Sequence, residues 1–296
     1  MKSGFVAIVG RPNVGKSTLI NNILDTKVAI ISDKPGTTRH SIHGVYNEED
    51  VQIVFVDTPG IHKPKHKLGE TLNKSAYHSL NDVDAALFLV DATDDEMGRG
   101  DSRILDVLIS KKIPIVLVLN KIDKMKKSEI LEKIDYYSKI YEFAEIVPIS
   151  GLKKENVDSL ISALKKYLSD EILYYPKEQV TNRSKEFMIG EIVREKVFLL
   201  TEEEIPHSVT CVVESIESKK NAKVITVLII VDRESLKKII IGKQGSMVKK
   251  IGIMAREEIE VLLGEKVYLE LFVKVIKKWR EKERQINELG YGEWER

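Results

Sequence analysis

The sequence predicts an α/β domain built on a mostly parallel sheet, followed by a smaller α+β domain. Three observations carry this. Short apolar, β-branched runs at 5–9, 51–56, 85–90, 115–119 and 146–149 alternate with amphipathic segments at 68–80, 103–109, 128–143 and 156–168. Such strands, separated by helices, need both sheet faces covered, which is the parallel arrangement. The alternation stops near Ser169, and an α-β-β-α-α-β order takes over. The length, 296 residues, also exceeds an ordinary single domain of roughly 100–200 residues.

Within the first domain, 40–47 reads as an extra strand that hairpins into 51–56 and forms the one antiparallel edge. The domain is expected over 1–172, with a linker over 173–180 punctuated by Pro176, and a second domain over 181–296. There, 185–200 reads as a helix. Strands at 208–218 and 223–231 follow, joined by a polar turn at 219–221. Helices at 236–241 and 247–263 flank Gly242-Lys243-Gln244-Gly245, and a strand at 267–276 precedes a charged terminal helix at 277–289.

Composition excludes several classes. With 43% apolar and 31% charged residues and only 8 Pro and 17 Gly, the chain is neither disordered nor collagen-like. One cysteine, Cys211, excludes an internal disulfide framework and a Cys-rich zinc site. The apolar run before Arg11-Pro12 is too short for a signal peptide, and no stretch is apolar enough to span a bilayer. A cytoplasmic location is the expectation. The net charge of +1, from 47 basic and 46 acidic residues, argues against a broadly basic nucleic-acid coat, but a total hides segregation.

Gly10-Arg11-Pro12-Asn13-Val14-Gly15-Lys16-Ser17 matches G-x-x-x-x-G-K-[ST] between an apolar strand and a helical segment that opens at Thr18. Its backbone N–H groups and the helix N-terminus suit a phosphate chain. Lys16 is expected on the β- and γ-phosphates and Ser17 on Mg²⁺. Asp57, at the end of the 51–56 run, is the expected second Mg²⁺ ligand. In Asp57-Thr58-Pro59-Gly60 the glycine N–H is placed near a γ-phosphate, so the loop can order or relax with nucleotide state. Asn120-Lys121-Ile122-Asp123 follows the 115–119 strand. The Asp123 carboxylate accepts from the N1–H and 2-amino group of guanine, a donor pair that adenine lacks. Asn120 and the Lys121 stem hold the loop and cover the ring, and Ser150-Gly151 backbone N–H groups are placed for guanine O6.

These motifs resemble the translation-factor-like family of GTP-binding proteins. The resemblance implies a γ-phosphate-sensing, Mg²⁺-binding threonine in Gly36-Thr37-Thr38-Arg39, and Thr38 fits it. It also implies catalytic roles for Lys16, Thr38 and Gly60. Many relatives orient water with Gln after Asp-x-x-Gly; here Ile61 stands there, which implies slow intrinsic hydrolysis. Some relatives with a hydrophobic residue there use K⁺ held by a phosphate-loop Asn, a place Asn13 occupies; a purely loop-shaping role for Asn13 is the alternative.

The second domain supplies the other signal. Gly242-Lys243-Gln244-Gly245 lies between two helices in a window, 236–256, that holds six basic residues and no acidic one. Lys249 and Lys250 follow closely. A Gly-x-x-Gly turn in this setting is the KH arrangement, which clamps about four single-stranded nucleotides, and the element order resembles its type II topology. The run His62-Lys63-Pro64-Lys65-His66-Lys67 suits RNA phosphates or a solvated loop, and Trp279-Arg280 suits RNA packing or closure of the domain.

Over essentially the whole chain, the combination resembles the Era family, bacterial GTPases of small ribosomal subunit assembly. The resemblance implies GTP and GDP as ligands with Mg²⁺ and with K⁺ at Asn13. It implies the 3′ end of small-subunit (16S) ribosomal RNA and the 30S subunit as partners and, as in some members, peripheral association with the inner face of the cell membrane; a monomer is the expectation. The rival readings are a GTPase that modifies or escorts tRNA, which would need an added catalytic domain or a reactive Cys, and a membrane or cell-division GTPase, which would need an anchor.

Overall fold

A computed structural model describes the chain apart from residues 33, 35, 62, 63, 65, 203, 204, 220, 221 and 293–296. The chain divides into two compact units. The first comprises Met1–Ala29, Thr38–Pro64 and Thr71–Asn182; the second comprises Ile30–Thr37, Lys65–Glu70 and Arg183–Arg296.

The first unit is built on six strands: β1 (Lys2–Gly10), β2 (Ile42–Glu48), β3 (Val51–Asp57), β4 (Ala85–Asp91), β5 (Ile115–Asn120) and β6 (Glu145–Ile149). Their order is β2-β3-β1-β4-β5-β6. All neighbours pair in parallel except β2 with β3, the expected antiparallel edge. The central strands are buried along nearly their whole length, as the continuous apolar runs require. Around them lie α1 (Lys16–Ile23), α2 (Lys67–His78), α3 (Arg99–Lys111), α4 (Lys127–Ser138) and α5 (Val157–Leu164). By its contacts, the first turn of α2 falls in the second unit.

Several bounds differ from expectation. Helix α3 begins before residue 103, which brings Asp101 into its first turn. Helix α4 stops short of residue 143, because Tyr141 and Phe143, edge-to-face with each other at 5.1 Å, leave the helix to pack against the core. Helix α5 ends at Leu164 and not at 168. The segment after it is held along the sheet. Ser3 and Asp170 exchange backbone hydrogen bonds, Val45 N donates to Val180 O, and buried Gln52 Oε1 accepts from Tyr174 N and Tyr175 N.

The second unit contains α6 (Lys185–Leu200), α7 (Ile205–Ser208), β7 (Thr210–Lys219), β8 (Ala222–Val231), α8 (Glu234–Ile241), α9 (Ser246–Leu263), β9 (Val267–Val275) and α10 (Glu283–Glu288). The sheet order is β7-β8-β9, with β7 and β8 antiparallel and β8 and β9 parallel. Ser184 caps α6 by accepting from Phe187 N. The inward residues of β8, Ile225, Val227, Ile229 and Val231, are fully buried beneath the helices. Two details were not expected. A short helix, α7, intervenes before β7, and the terminal helix is broken. Trp279 is fully buried, with Nε1 donating to Ser208 O at 3.1 Å and its ring stacked on Tyr291. Seating that side chain puts Lys278 in the left-handed region and interrupts the helix. Trp279 therefore closes the domain.

Candidate nucleotide and RNA sites

Strand β1 ends at Gly10 and α1 begins at Lys16, so the residues between form a loop at the carboxyl edge of the sheet. Gly15 sits at φ 102°, a conformation glycine adopts without strain, and an added Cβ would come 2.3 Å from Asn120 Nδ2. Both facts require glycine there. No side chain caps α1, leaving its first N–H groups turned to the loop. Lys16 is buried, and its Nζ donates to the carbonyls of Gly10 (2.9 Å) and Arg11 (2.8 Å). Burial pulls its pKa down to about 8 despite Asp57 nearby. An anion at Nζ would reverse that shift.

Three oxygens converge beside this loop. Ser17 Oγ lies 3.0 Å from Thr38 Oγ1 and 3.2 Å from Asp57 Oδ2, and Thr38 Oγ1 lies 3.3 Å from Asp57 Oδ2. Asp57 is fully buried, and its Oδ1 accepts no hydrogen bond. Burial raises its carboxyl to about 6, against the opposing charge of Lys16. Two hydroxyls on one carboxylate oxygen, with the other oxygen left unpartnered, are the donor set of a hard cation such as Mg²⁺. Thr37, the neighbouring threonine, instead donates its hydroxyl to Lys34 O at 2.7 Å. An added Cβ on Gly60 would come 3.2 Å from the Pro12 ring, so the end of 57–60 lies against the phosphate loop. Ile61 is packed in the core with Ala7 and Val9 and takes no place at the site. Asn13 is exposed at φ 67°.

The residues expected to meet the base, distant in sequence, are tied to the loop. Asn120 Nδ2 donates to Val14 O (2.8 Å), and its Oδ1 accepts from Gly151 N (2.8 Å). Ser150 Oγ donates to Asp123 Oδ1 at 2.6 Å. Lys121, left-handed at φ 72°, pairs with Asp91. Burial acts to raise the Asp91 carboxyl, but hydrogen bonds from Lys121 and Thr93 hold it below its usual value.

In the second unit, Gly242 (φ 73°), Gln244 (φ 51°) and Gly245 (φ 78°) form the turn between α8 and α9. A Cβ on Gly242 would meet Met247 N at 2.8 Å, so the turn closes only over glycine. Gly245 leaves the N-terminus of α9 without a side-chain cap. Lys243, Gln244, Lys249 and Lys250 are exposed around these N–H groups. His62, Lys63 and Lys65 lie outside the described residues.

The family model described as a 50S ribosome-binding GTPase matches residues 5–121, and a KH-domain model matches residues 204–280. Among solved structures, a variant of Era from Aquifex aeolicus bound to GDP·AlF₄⁻ is 45% identical. The match covers 98% of this chain and 99% of that one, with a TM-score of 0.95. The chain belongs to the Era family. A second Era structure, in complex with MgGDPNP and nucleotides 1506–1542 of 16S ribosomal RNA, matches at 45% identity, with the same coverage and TM-score.

Beyond the motifs, the Era fold brings further residues to the loop. Arg11 is an ion-pair partner of Asp101 (2.7 Å), which is 1% exposed, and of Asp94. Nothing in the spacing of residues 94 and 101 marks them as partners of residue 11. A buried acidic residue in the first turn of α3 was the available signal, and it was hidden while the helix start was placed at 103.

Proposed function

We propose that this protein binds and slowly hydrolyses GTP and binds the 3′ end of small-subunit ribosomal RNA through its KH domain, acting in assembly of the 30S subunit. The convergence of Ser17, Thr38 and Asp57 oxygens beside the phosphate loop carries the first part. The 16S ribosomal RNA bound by the Era relative, with Lys243 and Gln244 exposed in the Gly242–Gly245 turn here, supports the second. The nucleotide domain spans 1–172 and the KH domain 181–296, joined by 173–180. GTP is held by residues 10–18, Asp57, Gly60, Asn120, Lys121, Asp123, Ser150 and Gly151. RNA is held by Gly242, Lys243, Gln244, Gly245, Lys249 and Lys250.

The chemistry follows from the residues. Lys16 exchanges its two carbonyl acceptors for β- and γ-phosphate oxygens and neutralises charge that builds between them. Asp123 accepts from the guanine N1–H and 2-amino group. Gly60 N–H and Thr38 report on the γ-phosphate. Ser17, Thr38 and Asp57 would hold Mg²⁺, which supplies positive charge to the phosphate oxygens. With Ile61 in the core, water positioning falls to other groups, so turnover without partners is slow. Asn13 is the residue for K⁺; equal turnover in Na⁺ and K⁺ buffers would sink that assignment. In this reading the protein is monomeric and cytoplasmic, with peripheral association at the inner face of the membrane. No helix among the described residues is long and apolar enough to cross a membrane.

Crosslinking in cells followed by sequencing of bound RNA tests the proposal. Recovery of the small-subunit 3′ end is expected, and recovery of tRNA instead would overturn it.

A further inference from the structure

The phosphate loop holds backbone angles that need outside support. Asn13 (φ 67°) and Gly15 (φ 102°) both stand in the left-handed region, and a non-glycine residue stays there only where its surroundings fix it. Gly10 opens the loop tightly against β4, since an added Cβ would come 2.5 Å from Leu89 O. The next residue, Arg11, is where α3 takes hold.

Arg11 is pinned at both ends. Its Nε lies 2.7 Å from Asp101 Oδ2, in the first turn of α3, and its Nη2 pairs with Asp94. Asp101 is almost wholly buried, and burial pushes its carboxyl above the ordinary range against the pull of Arg11. A carboxylate is held that far from water only beside a partner. The stem of Arg11 crosses the start of α3 over Gly100, where a Cβ would come 2.8 Å from Arg11 Cδ. At the main-chain end, Arg11 O accepts from Lys16 Nζ at 2.8 Å.

The segment that supplies the two carboxylates is itself fastened. From α4, Lys133 Nζ donates to Asp94 O and, at 2.5 Å, to Asp95 O, and Tyr136 Oη accepts from Met97 N at 3.1 Å. At the end of β4, Asp91 pairs with Lys121. Residues 91–101 thus run from that pair to the phosphate loop, with Arg11 the contact at the far end. Every one of these residues belongs to the first unit.

We propose that Asp101, seconded by Asp94, is a positioning residue for nucleotide binding: it holds Arg11, and through Arg11 the phosphate loop, in the shape that receives the phosphates. This rests on the GTPase reading above and deepens it. A loop ordered before the ligand arrives need not be ordered during binding, so the clamp raises affinity without touching the ligand. GDP and GTP share the phosphates nearest the loop backbone, so both should depend on it. The sign of the effect separates positioning from simple charge. Near phosphate, removing a carboxylate would by charge alone tighten binding; removing a clamp weakens it.

The test measures affinities of the full-length protein for GDP and GDPNP with Mg²⁺, by fluorescence titration. The variants are Arg11→Met, Arg11→Lys, Asp101→Asn, Asp94→Asn and the double change Arg11→Met with Asp101→Asn. Denaturant titration without nucleotide establishes that each one folds. Affinity for both nucleotides is expected to fall about tenfold in Arg11→Met and in Asp101→Asn, the loss of one charge-assisted contact. The double variant should be within about twofold of either single one, because each change removes the same pair. Arg11→Lys keeps the charge and should bind at least about threefold more tightly than Arg11→Met. Asp94→Asn, at the more exposed carboxylate, should weaken binding only about twofold. Unchanged or tighter binding in a folded Asp101→Asn overturns the proposal. So do losses that multiply in the double variant, or an Arg11→Lys no better than Arg11→Met. If Asp101→Asn does not fold, Asp94→Asn takes its place, with weakening expected and tightening or no change overturning. If the parent protein binds neither nucleotide, the GTPase reading fails instead.

Discussion

The phosphate loop and the Gly242–Gly245 turn are both glycine-framed helix N-termini suited to phosphate, yet they are built in opposite ways. At the first, Lys16, Asp57 and Asn120 are buried, and hydrogen bonds tie Asp57 to Ser17 and Asn120 to Val14 across long stretches of sequence. At the second, the lysines are exposed and the turn is made from one contiguous segment. A buried site concentrates electrostatics, so its groups are few and each is worth much. An exposed site works by summing weak, screened contacts. Losing one group should therefore be close to all-or-none at the first site and graded at the second.

The largest expected effect is from Lys16→Ala. GTP affinity should fall by at least about 100-fold by calorimetry, since the variant removes the only side-chain cation aimed into the loop from α1 and leaves phosphate charge uncompensated. A loss below tenfold would break the contrast. Next is the double change Gly242→Asp with Gly245→Asp. It places Cβ atoms at φ values of 73° and 78° and two negative charges against phosphate. RNA binding should drop more than about 30-fold by fluorescence anisotropy while GTP affinity holds. Surviving RNA binding would refute the KH assignment. Asn120→Ala removes the links to Val14 O and Gly151 N, and should cost about 2 kcal/mol of stability by denaturant titration along with nucleotide affinity. Asp123→Asn sharpens the same site, shifting base preference from guanine toward xanthine in competition binding. The smallest effect is from Lys249→Ala. RNA affinity should weaken only a few-fold, and the slope of log K against log salt should fall by about one. A slope unchanged by the substitution would remove Lys249 from the RNA surface.

Most of the fold and the chemical motifs were legible because they are local patterns. Period and composition fix where strands and helices lie, and the Gly, Lys, Ser and Asp positions of the motifs have fixed roles at the ends of those elements. What escaped was of a different kind. Asp101 pairs with Arg11 across a distance in sequence that no period encodes. Trp279 breaks a helix that its own neighbours favour, because burial of the indole outweighs local propensity. Gln52 reads as a polar residue in a strand, and only the fold shows that it holds the backbone of Tyr174 and Tyr175.

The fold class thus followed from the sequence alone: alternating apolar runs and amphipathic helices admit few layered packings. The type of ligand followed too, because a phosphate loop and an Asn-Lys-x-Asp segment at strand ends have little other use. The tertiary structure decided that Asp94 and Asp101 pair with Arg11, and to which unit the segment before Thr38 belongs. Those are questions of direction and contact between residues far apart in the chain, settled by which buried charges must find partners. Arg194 is the clearest instance. In the sequence it is one basic residue on a helix; in the fold it is a fully buried cation whose Nη2 donates both to Glu191 and to the Thr37 carbonyl.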